Sequence, residues 1–104
     1  MRFGMCTDIA TATRDRVEYA LVERIKAAGF DFVEFPLMMI DSLSDEDFET
    51  LLSELKRLDL ACDCSCNYFP GRIKVVGPTA NKEEIDAYLD HAMGRAARMG
   101  VKKI

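Results

Sequence analysis

Ala27-Ala28-Gly29-Phe30-Asp31-Phe32-Val33-Glu34-Phe35-Pro36 runs through a helix end, a strand and a strand stop. Gly29 follows the last residue of a helical series, where glycine takes the left-handed backbone that closes a helix. Phe30 to Phe35 is aromatic and β-branched and reads as a second strand, and Pro36 lacks the N–H that a ladder needs. Upstream, Val17, Leu21, Ile25 and Ala28 recur at helical spacing. Arg16, Glu18, Glu23, Arg24 and Lys26 lie mostly opposite, so a helix is expected from Asp15. A polar turn, Asp8 to Arg14, separates it from a short first strand, Arg2 to Thr7.

The same grammar repeats downstream. Ser44 with Asp47 forms a capping pair, and Phe48, Leu51, Leu52, Leu55 and Leu58 form a buried stripe. Leu60 to Asn67 is a third strand, followed by a loop, Tyr68 to Ala80, that carries Pro70, Gly71, Gly77 and Pro78. Asn81 and Glu84 open a third helix with the stripe Ile85, Leu89, Ala92, Met93 and Ala96. Gly100 ends it, and Val101 to Ile104 begins a fourth strand. Strict strand–helix alternation means βαβ units on a parallel sheet, in a single domain over 1–104. Two architectures share this pattern. One is a small doubly wound, flavodoxin-like sheet, which would be a self-standing domain that binds a ligand or partner without catalysis. The other is the N-terminal part of a (β/α)8 TIM barrel, about three βα units plus the start of strand 4, in a fold that usually takes about 250 residues. The helix end running directly into Val-Lys-Lys-Ile leads us to expect a portion of a longer chain.

Composition narrows the function classes. Hydrophobic residues make up 49% of the 104, enough for a core, and the net charge of −4 comes from interspersed signs. Nucleic acid is not the expected partner, because phosphate binding needs clustered Lys and Arg. The longest apolar run, Phe35 to Ile40, is far short of the roughly 18 residues of a membrane span. With no secretory pattern at Met1-Arg2, a cytoplasmic protein is expected. Of the four cysteines, Cys62, Cys64 and Cys66 alternate within one segment. Same-face residues of a strand lie roughly 6.5–7 Å apart. That is too far for a disulfide, whose Cβ atoms come within about 4.5 Å, or for two thiolates on one zinc at ~2.3 Å each. They are expected to be reduced packing residues.

Ligands of α/β folds bind at the C-terminal ends of the strands. Glu34 ends strand 2 between Val33 and Phe35, where a carboxylate must be paired, hydrated or used. Either it contacts a polar ligand or it makes a structural ion pair. In strand 3, simple alternation puts Cys62, Cys64 and Cys66 on the helix-packed face and Asp63, Ser65 and Asn67 on the interior face. Asn67 either hydrogen-bonds a ligand hydroxyl or caps the following loop. Tyr68 and Phe69 either wall a substrate pocket or pack under the loop. Cys6 either faces the pocket or is a buried inert thiol. His91, the only histidine, reads as a solvated residue on a helix face with Asp86 and Arg95, and no Ser/His/Asp set or phosphate-cradling glycine motif is present. Asp8, Glu34 and Asp63 make only a weak set for a hard cation, there being no histidine at a strand end.

These segments resemble a known group. Met1-Arg2-Phe3-Gly4-Met5-Cys6-Thr7 is similar to the opening of the sugar phosphate isomerase/epimerase group, the xylose isomerase-like TIM barrels. Ala27 to Phe35 resembles that group's joint between first helix and second strand, and Asn67-Tyr68-Phe69-Pro70-Gly71 resembles the strand-3 loop of some members. The resemblance implies a divalent-metal enzyme (Mn, Co, Mg or Zn) that isomerises or epimerises a sugar. The Glu, Asp, His and Glu metal ligands of that group come from later strands. This chain is therefore expected to hold no catalytic residue, metal ligand or cofactor of its own, and to be inactive alone. What carries over is a substrate-side wall: Glu34 and Cys6, with Asn67, Ser65 and Phe69 following more loosely. DNA-repair relatives need a histidine where this sequence has Cys66 and Asn67, which argues against that branch. An open sheet with bare edges is expected to self-associate as a homodimer.

Overall fold

β2 (Phe32–Pro36) is the central strand of a three-stranded parallel sheet, flanked by β1 (Gly4–Cys6) on one side and β3 (Ala61–Cys66) on the other. The computed structural model describes residues 1–7 and 16–104. Within them the helices are α1 (Tyr19–Ala27), α2 (Leu37–Ser42), α3 (Asp45–Leu58) and α4 (Lys82–Met99). The turn expected at 8–14 lies outside the described residues; the helix expected from Asp15 begins only at Tyr19, so Val17 precedes it. A parallel bridge joins Cys64 to Lys103, with Ser65 N–H donating to the Lys103 carbonyl at 2.9 Å and Lys102 N–H to that of Asp63 at 2.8 Å. The chain after α4 thus runs along β3 as the expected fourth strand does. The strand order is sequential, whereas a flavodoxin-like sheet places its first strand between the second and third.

Sequential order has a physical consequence. Parallel crossovers are right-handed in nearly all proteins, so strands added one after another in the same direction put every connecting helix on the same face. Val33 and Phe35 of β2 point to that face and are fully buried against Val22 and Ile25 of α1 and Phe48 and Leu51 of α3. Burying each such side chain stabilises the fold by about 2 kcal/mol. A second cluster joins Leu37, Ile73 and Tyr88 to Ala92 and Ala96 of α4. Phe32 and Glu34 point the other way and are only half-buried. The ring of Phe32 lies across β1 where a Cβ on Gly4 would sit, within 2.0 Å, so any side chain at position 4 would have to displace the ring.

The capping pairs form as the sequence predicts. The Ser44 hydroxyl accepts the Asp47 N–H at 3.0 Å, and the Asn81 side chain accepts the Glu84 N–H at 3.2 Å. Gly100 closes α4 at φ 86°. The ladder of β2 ends at Pro36, as the sequence predicts, but Pro36 itself still pairs with Cys66 and then caps an additional short helix, α2, that the sequence did not announce. The apolar run Phe35 to Ile40 therefore contains the strand end and most of that helix.

A correction concerns β3. Its register against β2 slips: Phe32 pairs with Ala61 and Glu34 with Cys64, so Cys62 and Asp63 together oppose Val33. A bulge of this kind breaks the alternation of faces. Cys62 enters the helix-side core at 2% exposure, and three residues later Ser65 is buried on that same side. Cys64 and Cys66 are turned to the opposite face, which no described helix covers. The expected division of cysteines from polar residues is thus replaced by a mixed one.

Candidate functional site

The uncovered face has two levels. Toward the start of the strands, the Arg2 guanidinium sits 5.4 Å from the centre of the Phe32 ring and reaches over to pair with Asp63. This pairing takes Asp63 out of the cation set with Glu34, and Asp8 lies outside the described residues. Beside it, Arg2, Phe32, Asp63, Cys64, Lys102 and Lys103 line an open depression of about 320 Å³.

Toward the C-terminal ends, Cys6, Glu34, Cys64 and Cys66 converge. Parallel register sets Cys6 beside Glu34 and Glu34 beside Cys64. The Cys64 thiol donates to Glu34 Oε2 at 3.0 Å, and the Cys6 and Cys66 sulfurs lie 3.7 Å apart. Ligand atoms of Cys6, Glu34 and Cys66 all fall within 4.8 Å of one another. All four residues are half-buried. Burial, followed by hydrogen bonding to the Glu34 carboxylate, pushes the Cys64 thiol up to about 11. The same causes, with the Cys6 contact added, push Cys66 up further. Burial alone dominates for Cys62, raised to about 12. The Cys64 thiol therefore keeps its proton near neutral pH and donates it to the Glu34 carboxylate, whereas the Cys62 thiol donates to the Cys64 carbonyl at 3.6 Å. All four cysteines are free.

Of the substrate-side residues expected from sequence, Glu34 and Cys6 come together on the uncovered face. Ser65 does not: its hydroxyl donates to the Phe35 carbonyl within the helix-side layer, because the bulge has moved it across the sheet. Asn67 is exposed and takes the left-handed backbone at φ 50°, which makes it the turning residue at the end of β3. Phe69 lies under the loop, its ring 5.0 Å from Tyr68 and 5.5 Å from Tyr88. The Tyr88 hydroxyl donates to the Tyr68 carbonyl, and burial with the nearby Asp41 charge raises it to about 12.

His91 is half exposed, with Nδ1 2.7 Å from Asp41 Oδ1, and belongs to the α2–α4 contact on the helix side. Its supposed neighbour on a solvated face, Arg95, is buried at 6%. Arg95 donates to the carbonyls of Ile40, Asp41 and Leu43 at 2.8, 3.2 and 2.6 Å, and lies 4.8 Å from the Phe48 ring centre. Sequence reasoning missed Cys64 and Cys66 as site residues; the signal available was their i, i+2 spacing with Glu34's strand beside them. Among the described residues, no helix is long and apolar enough to cross a membrane. No protein-family model, curated protein or solved structure matches this chain.

Proposed function

We propose that this chain is the opening part of a (β/α)8 barrel of the sugar phosphate isomerase/epimerase group, and that it supplies the substrate-side wall of the pocket. The observation that carries this reading is the position of Glu34. It lies midway along the central strand of a sequentially ordered parallel sheet, level with the end of β1 and on the face that no described helix covers, the side on which a barrel would enclose its interior. A carboxylate there accepts hydrogen bonds from sugar hydroxyls; it has about four lone-pair sites, and the Cys64 thiol occupies one. Proton transfer beside the carbonyl and the divalent metal that holds vicinal oxygens belong to residues of later strands, so the chain alone is inactive. The same bare face leads two copies of the isolated chain to associate.

The test is an assay of the whole barrel protein carrying these residues against a panel of aldoses, ketoses and their phosphates with Mn²⁺, Co²⁺ or Mg²⁺. Interconversion is expected, and Glu34→Gln lowers kcat/KM about a hundredfold, close to 3 kcal/mol of transition-state binding, with Tm unchanged. Absence of activity across the panel, or a Glu34→Gln enzyme with full activity, overturns the proposal. So does a sharp fall in Tm, which makes Glu34 a structural residue.

A further inference from the structure

We propose that Cys6, Glu34 and Cys66 form a three-ligand site for a thiophilic divalent cation, zinc in the first place, with Cys64 holding the carboxylate in position. Cys64 is not counted among the ligands because its thiol donates to Glu34 Oε2, whereas the Cys6 and Cys66 sulfurs face each other. The structure supplies one thiol from β1 and one from β3, brought over the carboxylate of the strand between them.

The geometry separates a metal site from the other use of two close sulfurs. β1 and β3 are not neighbours; with adjacent strands about 4.8 Å apart, their backbones stand roughly 9–10 Å from each other. A disulfide demands Cα atoms within about 7 Å, so the two residues are badly placed to bond directly. Their sulfurs nonetheless meet at 3.7 Å. Two thiolates on a tetrahedral zinc, each at ~2.3 Å, stand ~3.8 Å apart, the edge of the tetrahedron. Glu34 oxygen falls within 4.8 Å of both sulfurs, so a contraction of about 1 Å completes the triangle.

The donor set selects the metal. Two thiolates and one carboxylate favour zinc over magnesium or calcium, which take oxygen ligands. Three protein ligands leave the fourth position to water or a substrate atom, the pattern of zinc sites that bind exogenous ligands. The Cys64 thiol donating to Oε2 plays the part of the outer hydrogen bond that orients a ligating carboxylate. The site shares Glu34 and Cys6 with the proposed substrate-side wall, but it does not depend on the isomerase reading, whose own metal belongs to residues of later strands.

The purified, reduced chain, stripped with a chelator, is titrated with Co²⁺ and then Zn²⁺. The expected result is one equivalent bound with a thiolate-to-cobalt charge-transfer band in the near ultraviolet, displaced stoichiometrically by Zn²⁺. Cys6→Ser and Cys66→Ser each abolish the band. Cys64→Ala keeps it and weakens binding about tenfold. Circular dichroism establishes that each variant is folded; should a serine variant unfold, Glu34→Gln, which keeps both thiols, is expected to retain the band with at least tenfold weaker affinity. Absence of a charge-transfer band, a band that survives loss of both Cys6 and Cys66, or Glu34→Gln binding as tightly as wild type overturns the site. Failure of sugar turnover in the barrel protein leaves these outcomes unaffected.

Discussion

Asp63 is the residue at which β3 stops alternating. With Cys62 it opposes a single residue of β2; Cys62 stays in the core as simple alternation places it, and the bulge turns Cys64 and Cys66 to the other face and Ser65 to the helix side. The strand itself was legible from Leu60 to Asn67; the bulge was not, because nothing in Ala-Cys-Asp-Cys-Ser-Cys marks which residue is the extra one. Glu34 was legible because a carboxylate between apolar neighbours contradicts its surroundings whatever the register. The thiols give this scale its own prediction. Cys62 is raised to about 12 and Cys64 to about 11, from 9.0 in an open chain. The folded state therefore holds these protons longer than the unfolded state. The corresponding stability is complete below about pH 9 and is lost as pH rises through about 11 to 12. Tm recorded with chelator present, in steps from pH 8 upward, is expected to start falling near pH 9. Cys62→Ala is expected to lower Tm at pH 8 by leaving a cavity and to make the alkaline fall shallower. A Tm that stays level through pH 11 contradicts this account.

The helices divide into those the sequence announced and one it hid. Ser44 and Asn81 mark the starts of α3 and α4 by the physical act of accepting an orphan N–H, so both helices were readable. α2 has no such signal: Leu37 to Ser42 continues an apolar strand, and Pro36 resembles a strand stop. Once α2 exists, its terminal carbonyls need donors. Arg95 supplies them, which is why an arginine on an otherwise ordinary helix is buried. The pair it makes with fully exposed Asp45 adds little. Arg95→Ala leaves three carbonyls without their donor and uncovers Phe48, at a cost of about 3 kcal/mol. For a domain of this size that is a Tm drop of roughly 12–20 °C. Arg95→Lys is expected to recover less than half, since one ammonium does not reproduce the planar fork. Urea unfolding measures both; a loss under about 1 kcal/mol for Arg95→Ala would show that α2 does not depend on it.

At the scale of the molecule, strand alternation announced a parallel sheet but left the strand order open, because periodicity reports which residues are buried and not which strands are neighbours. The sequential order settles what the helices cover. No described helix covers the face bearing Phe32, Glu34, Cys64 and Cys66, and Phe3, just before β1, is 60% exposed. Among the described residues β1 has β2 on one side and no strand on the other, an edge of the kind that recruits further strands. At about 25 cal/mol per Å², a few hundred Å² of such apolar surface is worth several kcal/mol, comparable to the whole stability of a small domain. A twofold pairing of bare faces is the simplest closure available to an isolated chain. Light scattering coupled to size-exclusion chromatography, across a hundredfold range of concentration and with a dye that reports exposed apolar surface, tests this most directly. The account predicts a concentration-dependent species of about twice the 11.7 kDa of one chain, with dye binding that declines as the dimer forms. A particle that stays at 11.7 kDa at the highest concentration and binds no dye would contradict it.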